Sequence, residues 1–255
     1  KFYRPARWSD AQILEEHAFA LELAAAELPV VAPLRFGEVS LFHRDGLRYA
    51  AFPRRAARAV ELDASGSLDL VGRTLGRIHA IGRLSRFAVR PALGIDRLGW
   101  QARQALLESG MLDDSLADRY DEVSQQLLEA VEEVWEAHGP PSTIRIHGDC
   151  HLGNVLWDER GPVFVDLDDC TSGPRVQDLW MFLSGNPDER RGQWNELMKG
   201  YRQFADFEEG ETALIESLRA LRMVHHSAWI AARWSDPAFP RAFPWFTSPR
   251  YWQEH

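Results

Sequence analysis

The sequence predicts an α+β fold in two unequal lobes: a strand, a helix and a hairpin over residues 1–54, then a mainly helical lobe over residues 55–255 built around a second hairpin. Three observations predict it. Alternating apolar residues flank Asp45-Gly46 in VSLFHRDGLRYAAF, the strongest short hairpin signal in the chain. From about residue 68 onward, apolar residues recur at helical spacing. Between Val155 and Val165 two short apolar runs enclose a polar, Gly-containing turn.

The elements follow in order. KFYRP reads as the end of a strand, with more chain expected before it. Ser9 followed by Gln12 fits a capping box, and Ile13, His17, Ala20, Leu21, Ala24 and Leu28 share one face, so a helix is expected over residues 10–28 until Pro29 and Pro33 end it. The Asp45-Gly46 hairpin completes the small lobe, and Pro53 with Arg54-Arg55 breaks the pattern. Helices are then expected over residues 68–81, 116–137, 176–183, 194–204 and 211–234. The tail from Asp236 to Trp252, with its prolines and aromatics, reads as an extended segment laid over the helical lobe.

The chemistry gathers in IHGDCHLGNVLWDERGPVFVDLDD, residues 146–169. If Trp157 faces Val163 across the hairpin, Asn154 sits opposite Asp166 with Cβ atoms ~5 Å apart. Two oxygen ligands then share one site, and Asp149 reaches it from the Gly-containing loop upstream. A hard cation held by an amide and a carboxylate, beside a second carboxylate acting as base, suits magnesium-assisted phosphoryl transfer to a hydroxyl. Two other readings compete. His147, Asp149 and His151 alternate and on a strand would point one way, as zinc or iron ligands for hydrolysis, but Gly148 is a poor strand residue and Asn154 and Asp166 would have no task. A plainer reading makes the acids turn caps.

Bulk properties narrow the field. With 45% apolar residues in 255 and ten tryptophans, the chain has material for a substantial core. No run of about 18 apolar residues and no basic-plus-apolar leader occurs, so neither membrane span nor secretory signal is expected. Two cysteines, Cys150 and Cys170, make no disulfide framework and read as buried thiols in a reducing cytoplasm. A net charge of −9 argues against nucleic-acid binding. Neither GxxxxGK[ST] nor GxGxxG occurs, so a glycine-rich phosphate loop is missing from these residues.

HxDxxxxN, an apolar strand pair and DxD together form the signature of the aminoglycoside phosphotransferase and choline kinase group, akin to protein kinases. Within it the chain resembles the stress response kinase A family of bacterial serine/threonine protein kinases, through KFYRPARWSDAQILEEH, GRTLGRIHAIGR, HGDCHLGNVLW, FVDLDD, GPRVQDLWMFLSG and RWSDPAFPRAFPWF. The resemblance implies a two-lobed protein-kinase-like fold whose first strands precede this sequence, with Mg2+ and ATP as cofactors. It implies Asp149 as catalytic base and Asn154 and Asp166 as metal ligands. Lys1 paired with Glu16 would bind phosphate, Glu16 being preferred to Glu15 because it lies one turn before Ala20. Phe52 would meet the adenine, with His147, His151, Asp168 and Asp178 in support. The expected partner is a protein bearing the acceptor serine or threonine, with no nucleic acid or membrane, and the expected protein is a cytoplasmic monomer in a stress response.

The sequence also departs from the protein-kinase pattern. Protein kinases usually place Arg before the catalytic Asp and Lys two residues after it, whereas Gly148 and His151 stand here. DLDD passes through Cys170 to Pro174 directly into the next element, which leaves no room for a phosphorylated activation segment. Without the first strands, nucleotide binding by these residues alone is expected to be weak. A kinase for small hydroxylated or amino compounds is the alternative, and it would need acidic or aromatic clusters for cations. A binding module without catalysis is disfavoured because Asp149, Asn154 and Asp166 are all retained.

Overall fold

The structure, a computed structural model, describes residues 1–5, 7–56, 58–59 and 66–254. In chain order the elements are β1 (Phe2–Tyr3), α1 (Asp10–Ala25), β2 (Phe42–Arg44), β3 (Leu47–Tyr49), β4 (Arg58–Ala59), α2 (Ser67–Gly82), α3 (Gln101–Leu107), α4 (Asp114–His138), β5 (Ile144–Ile146), β6 (Val155–Asp158), β7 (Gly161–Phe164), β8 (Thr171–Gly173), α5 (Pro187–Tyr201), α6 (Ile215–Ala231), α7 (Ala238–Ala242) and α8 (Pro249–Glu254). Two compact units emerge, residues 1–92 with 142–209 and residues 93–141 with 210–255. The expected lobe boundary after residue 54 falls inside the first unit. No described helix is long and apolar enough to cross a membrane.

In the first unit, local chemistry sets the small sheet and its helix. Ser9 Oγ accepts from the Gln12 N–H at 3.3 Å while Gln12 Oε1 accepts from the Ser9 N–H at 2.8 Å, so the capping box forms at the head of α1. The helix ends at Ala25, three residues before the expected stop, because Glu27 enters the left-handed region at φ 57°. Asp45 and Gly46, at φ 52° and 76°, make the tight turn that pairs Arg44 with Leu47. The sheet order is β1-β3-β2, all antiparallel.

The second hairpin forms, but its register differs from the expected one by one residue. Asp158 pairs with Gly161, Trp157 with Pro162 and Val155 with Phe164. Asp158 Oδ1 accepts from the Arg160 N–H at 2.8 Å and Gly161 takes φ 120°, so two residues close the turn where five were expected. Asn154 therefore faces Val165, whose N–H donates to the Asn154 carbonyl at 3.0 Å, and Asp166 lies one residue beyond. β4 pairs with β6 on the other side, and β5 pairs with β8.

The core of this unit joins α1, α2, α5 and the hairpin through Phe19, Leu75, Ile78, Phe164, Phe182 and Tyr201, all fully buried. α2 and α5 approach closely because glycines line the contact. A Cβ on Gly72 would lie 1.9 Å from the Leu197 carbonyl oxygen, and one on Gly200 would lie 1.9 Å from that of Asp69. The helix expected over residues 176–183 is instead two 3₁₀ turns, Arg175–Asp178 and Trp180–Phe182. Five consecutive residues from Val176 to Trp180 are buried, so the stretch carries no amphipathic period to mark a helix with one exposed face.

In the second unit α6 packs on α3 and α4. No spacing in the chain announces the π-helical turn Asp96–Trp100 that precedes α3, where Gly99 fits against Leu128 and Leu221. Asp113 caps α4 by accepting from the Leu116 N–H at 3.0 Å. The tail is not extended. Asp236 accepts from the Ala238 N–H at 3.0 Å and Pro249 opens α8, so Pro237, Pro240 and Pro249 stand at or within first turns, where no N–H is needed, and Pro244 lies in the turn between the two helices. Phe239 and Phe246 are buried there, with Trp234, Tyr251 and Trp252 packed around them.

Candidate active site

The loop between β5 and β6, residues 147–154, is held from beneath. Asp178, fully buried, accepts from the His147 N–H at 2.6 Å and the Gly148 N–H at 2.8 Å, and Gln177 Nε2 donates to the Gly148 carbonyl at 2.9 Å. His79 fixes Asp178 in turn. It lies 3.1 Å from Asp178 Oδ2 and 2.8 Å from the Tyr201 hydroxyl. His147 is buried, with Nε2 2.9 Å from the Val165 carbonyl. Charge-assisted bonds from backbone N–H groups to a buried carboxylate are strong, so this loop is rigid where it presents Asp149.

Asp149 and Asn154 come together at the top of the loop. Asn154 Nδ2 donates to the Asp149 carbonyl at 2.9 Å and lies 3.4 Å from its carboxylate. His151 caps the turn that ends in Asn154, accepting from the Gly153 N–H at 3.0 Å, and its Nε2 stands 3.4 Å from Asp149 Oδ2. The alternating trio His147, Asp149 and His151 does not converge, since Gly148 at φ 84° breaks the strand and His147 turns to Val165. Among the described residues no group of three or more His, Cys, Asp or Glu is arranged to hold a metal ion. That counts against the zinc or iron reading.

Asp166 follows the hairpin in the left-handed conformation, φ 58°, and its side chain is 54% exposed. Lys1 reaches it from the small sheet. The Lys1 ammonium lies 2.8 Å from Asp166 Oδ1, 2.9 Å from Asp168 Oδ1 and 3.5 Å from Glu16 Oε1. Burial alone would lower the Lys1 pKa, but the three carboxylates outweigh it and raise it. Glu16, only 2% exposed, is pushed up to about 7 by burial against the opposing pull of Lys1. Asp168 is held below the usual carboxylate range, because Lys1 and Arg7 overcome the effect of its burial. Glu15 turns away and accepts from the N–H groups of Ala88, Val89 and Arg90.

Three further residues belong to this network, and no sequence spacing announced them. Arg7 binds Asp168 Oδ2 at 2.7 Å and Asp169 Oδ1 at 2.7 Å. Tyr3 and His17 join the sheet to α1: the Tyr3 hydroxyl lies 2.7 Å from His17 Nε2, and His17 Nδ1 lies 2.8 Å from Ser40 Oγ. Phe52, half-buried, sets its ring edge-on to His17 at 6.2 Å and 6.0 Å from the Lys1 ammonium.

His17 carries a testable pH dependence. Burial, reinforced by Lys1, pushes its pKa down to about 4 from 6.5. Between those values the unfolded chain takes up a proton that the folded chain refuses, so stability is lost as pH falls through this window. In urea titrations, His17→Gln is expected to lose less stability than the parent between pH 6.5 and 4.5, by roughly 2 kcal/mol. Parallel curves for the two proteins would refute the assignment.

The donor set fits a hard cation. An Asn154 amide oxygen and an Asp166 carboxylate are oxygen ligands of the kind magnesium takes, and Lys1 already places a positive charge against Asp166.

Comparison with known proteins agrees with this chemistry. A model described as the phosphotransferase enzyme family matches residues 1–221. Stress response kinase A of Salmonella paratyphi A is 45% identical over 253 residues, 99% of this chain and 76% of the relative. The protein of the same name from Escherichia coli K12 is 43% identical over 252 residues, with the same 99% and 76% coverage. The Salmonella typhimurium relative, 45% identical over 253 residues at 99% and 76% coverage, is named serine/threonine protein kinase RdoA. Among solved structures, amicoumacin kinase in complex with AMP-PNP, Ca2+ and its ligand superposes with a TM-score of 0.72 at 18% identity, covering 97% of this chain and 79% of that one. A microcompartment-associated aminopropanol kinase does so with a TM-score of 0.62 at 22% identity, covering 97% and 81%. The fold is therefore the kinase-like α+β fold expected from sequence. The matched stretch contains every residue of the site described above, and the chain belongs to the phosphotransferase enzyme family, within its stress response kinase A group.

Proposed function

We propose that this kinase transfers the γ-phosphoryl group of ATP to serine or threonine hydroxyls of a protein, in the cytoplasm and as part of a stress response. The observation that carries the reading is the Lys1 ammonium within 3.5 Å of Glu16 on α1 and of Asp166 and Asp168 on the acidic loop, residues 166–169, which follows Val165, the backbone partner of Asn154. Lys1 would grip the nucleotide phosphates, kept in place by Glu16, while Phe52 packs against the adenine. Asp149 would orient the acceptor hydroxyl and take its proton as the new P–O bond forms. Asn154 and Asp166 would hold Mg2+, which, when bound, offsets charge on the transferred group. His147, His151 and Asp178 hold the loop that carries the base, and residues 1–54 would serve as the nucleotide lobe.

The relative named as a serine/threonine protein kinase supports a protein acceptor. A small-molecule acceptor is the second reading, favoured by solved neighbours that are kinases for amicoumacin and aminopropanol. Mass spectrometry separates them. The full-length protein, incubated with ATP, Mg2+, casein and 1-amino-2-propanol, is expected to yield phosphoserine or phosphothreonine on itself or on casein, and to lose that product when EDTA removes the metal. A phosphorylated amino alcohol with unmodified protein would overturn the protein-acceptor reading.

A further inference from the structure

We infer that Arg90 is a positioning residue for phosphoryl transfer, the centre of a built-in strap that holds α1 against the acidic loop and so keeps Lys1 and Glu16 paired without any phosphorylated activation segment. The inference rests on the reading of Lys1 as the phosphate-binding lysine. Arg90 is 5% exposed, yet among the described residues no carboxylate accepts a hydrogen bond from it. Its guanidinium is spent on three backbone carbonyls from two distant segments: Gln12 in the first turn of α1 at 3.0 Å, Cys170 at 2.5 Å, and Asp168. The same group stacks on Trp8, 4.5 Å from the ring centroid. A buried guanidinium is costly unless its fork of donors is satisfied, and here it is satisfied only when α1 and residues 168–170 stand side by side.

The strap is sewn from both directions. Glu15, on α1, accepts from the N–H groups of Ala88 at 2.6 Å, Val89 at 3.0 Å and Arg90 at 2.8 Å, and Gln12 Nε2 donates to the Val89 carbonyl at 3.1 Å. Those three N–H bonds, set against the opposing effect of burial, hold the Glu15 carboxyl below its ordinary range. α1 carries Glu16 and the acidic loop carries Asp166 and Asp168, so the strap joins the two sides of the Lys1 network. In kinases that are switched by phosphorylation, new Arg–phosphate pairs order the equivalent region. Here the acidic loop passes through Cys170 straight into β8, which pairs with β5, and Arg90 donates to carbonyls that are always present.

Steady-state kinetics of the full-length protein with ATP, Mg2+ and casein tests this. Arg90→Lys keeps the charge but not the three-way fork, and is expected to lower kcat about 10-fold or more and raise KM for ATP about 5-fold, with KM for casein unchanged. Amide hydrogen exchange is expected to quicken at residues 10–16 and 166–170 together. Glu15→Ala, at the more accessible side of the strap, should show the same pattern at about 3-fold and serves if Arg90→Lys fails to fold. Lys1→Met runs in parallel. Loss of activity in Lys1→Met alongside parent-like kcat and KM for ATP in Arg90→Lys or Glu15→Ala, even with a lowered melting temperature, overturns the strap. Parent-like activity in Lys1→Met would instead overturn the lysine assignment beneath it.

Discussion

Asp149→Ala is expected to lower phosphoryl transfer by about 10³-fold or more while the protein melts within a few degrees of the parent. The two halves of that expectation have separate physical causes. The loss in rate follows from removing the only carboxylate on the loop that lies against Asn154, so the acceptor hydroxyl has nothing there to orient it or receive its proton. The retained fold follows from how the loop is tied. Asn154 Nδ2 makes its shorter bond, 2.9 Å, to the Asp149 backbone carbonyl, which alanine keeps, and the lower half of the loop hangs on Asp178. Asp149→Asn is a sharper control, since it preserves shape and removes the charge. Both variants should bind MgATP with near-parent affinity, because Lys1, Glu16 and Phe52 lie on other elements. Turnover within 10-fold of the parent in either variant, measured with radiolabelled ATP, would remove Asp149 from the role of base.

What could be read from the sequence was what local spacing decides. Ser9 with Gln12 and Asp45 with Gly46 are contacts between near neighbours, governed by hydrogen-bond geometry that any such sequence shares, and both formed where expected. The meeting of Asp149 with Asn154, and the hairpin that leads to Asp166, were legible for the same reason, since a short loop and a tight turn decide them. Even there the register slipped by one, because Asp158 closes the turn with its own side chain and alternating patterns do not register such a bond. Glu16 and Glu15 part as helical spacing requires, one toward Lys1 and one toward residues 88–90.

The remainder depends on contacts across long stretches of chain. Arg7 meets Asp169 from 162 residues away, and Arg90 meets Cys170 from 80 away. Nothing in the spacing of either arginine sets it apart from the many on the surface. The 3₁₀ turns after Pro174 have the apolar content of a helix without its period, and in the tail the prolines that suggest an extended segment stand at helix starts instead. These are failures of context, corrected only when tertiary burial is known.

Gly148→Ala should cost both stability and turnover, and it accounts for the departure from the protein-kinase pattern at this position. Gly148 sits at φ 84°, a conformation that costs a residue with a Cβ ~1–2 kcal/mol. A Cβ there would also lie 2.2 Å from the Asp169 carbonyl oxygen and 3.2 Å from Thr171 Cγ2. Neither neighbour yields easily, because residues 168–170 are held by Arg90 and Thr171 Oγ1 donates to the Pro91 carbonyl at 2.5 Å. The loop must therefore move, and with it the Gly148 N–H on Asp178 and the Gly148 carbonyl on Gln177. A destabilisation of about 3 kcal/mol or more is expected from strain and lost buried bonds. Turnover per folded molecule should fall about 10²-fold, the cost of misplacing a catalytic carboxylate by roughly 1 Å. Arginine, the usual protein-kinase residue at this point, would meet the same obstruction at its own Cβ. Calorimetry and kinetics normalised to the folded fraction decide it: a Gly148→Ala protein with parent melting temperature and parent kcat would mean that the contact between the catalytic loop and the acidic loop is loose, and that Asp149 owes its position to something else.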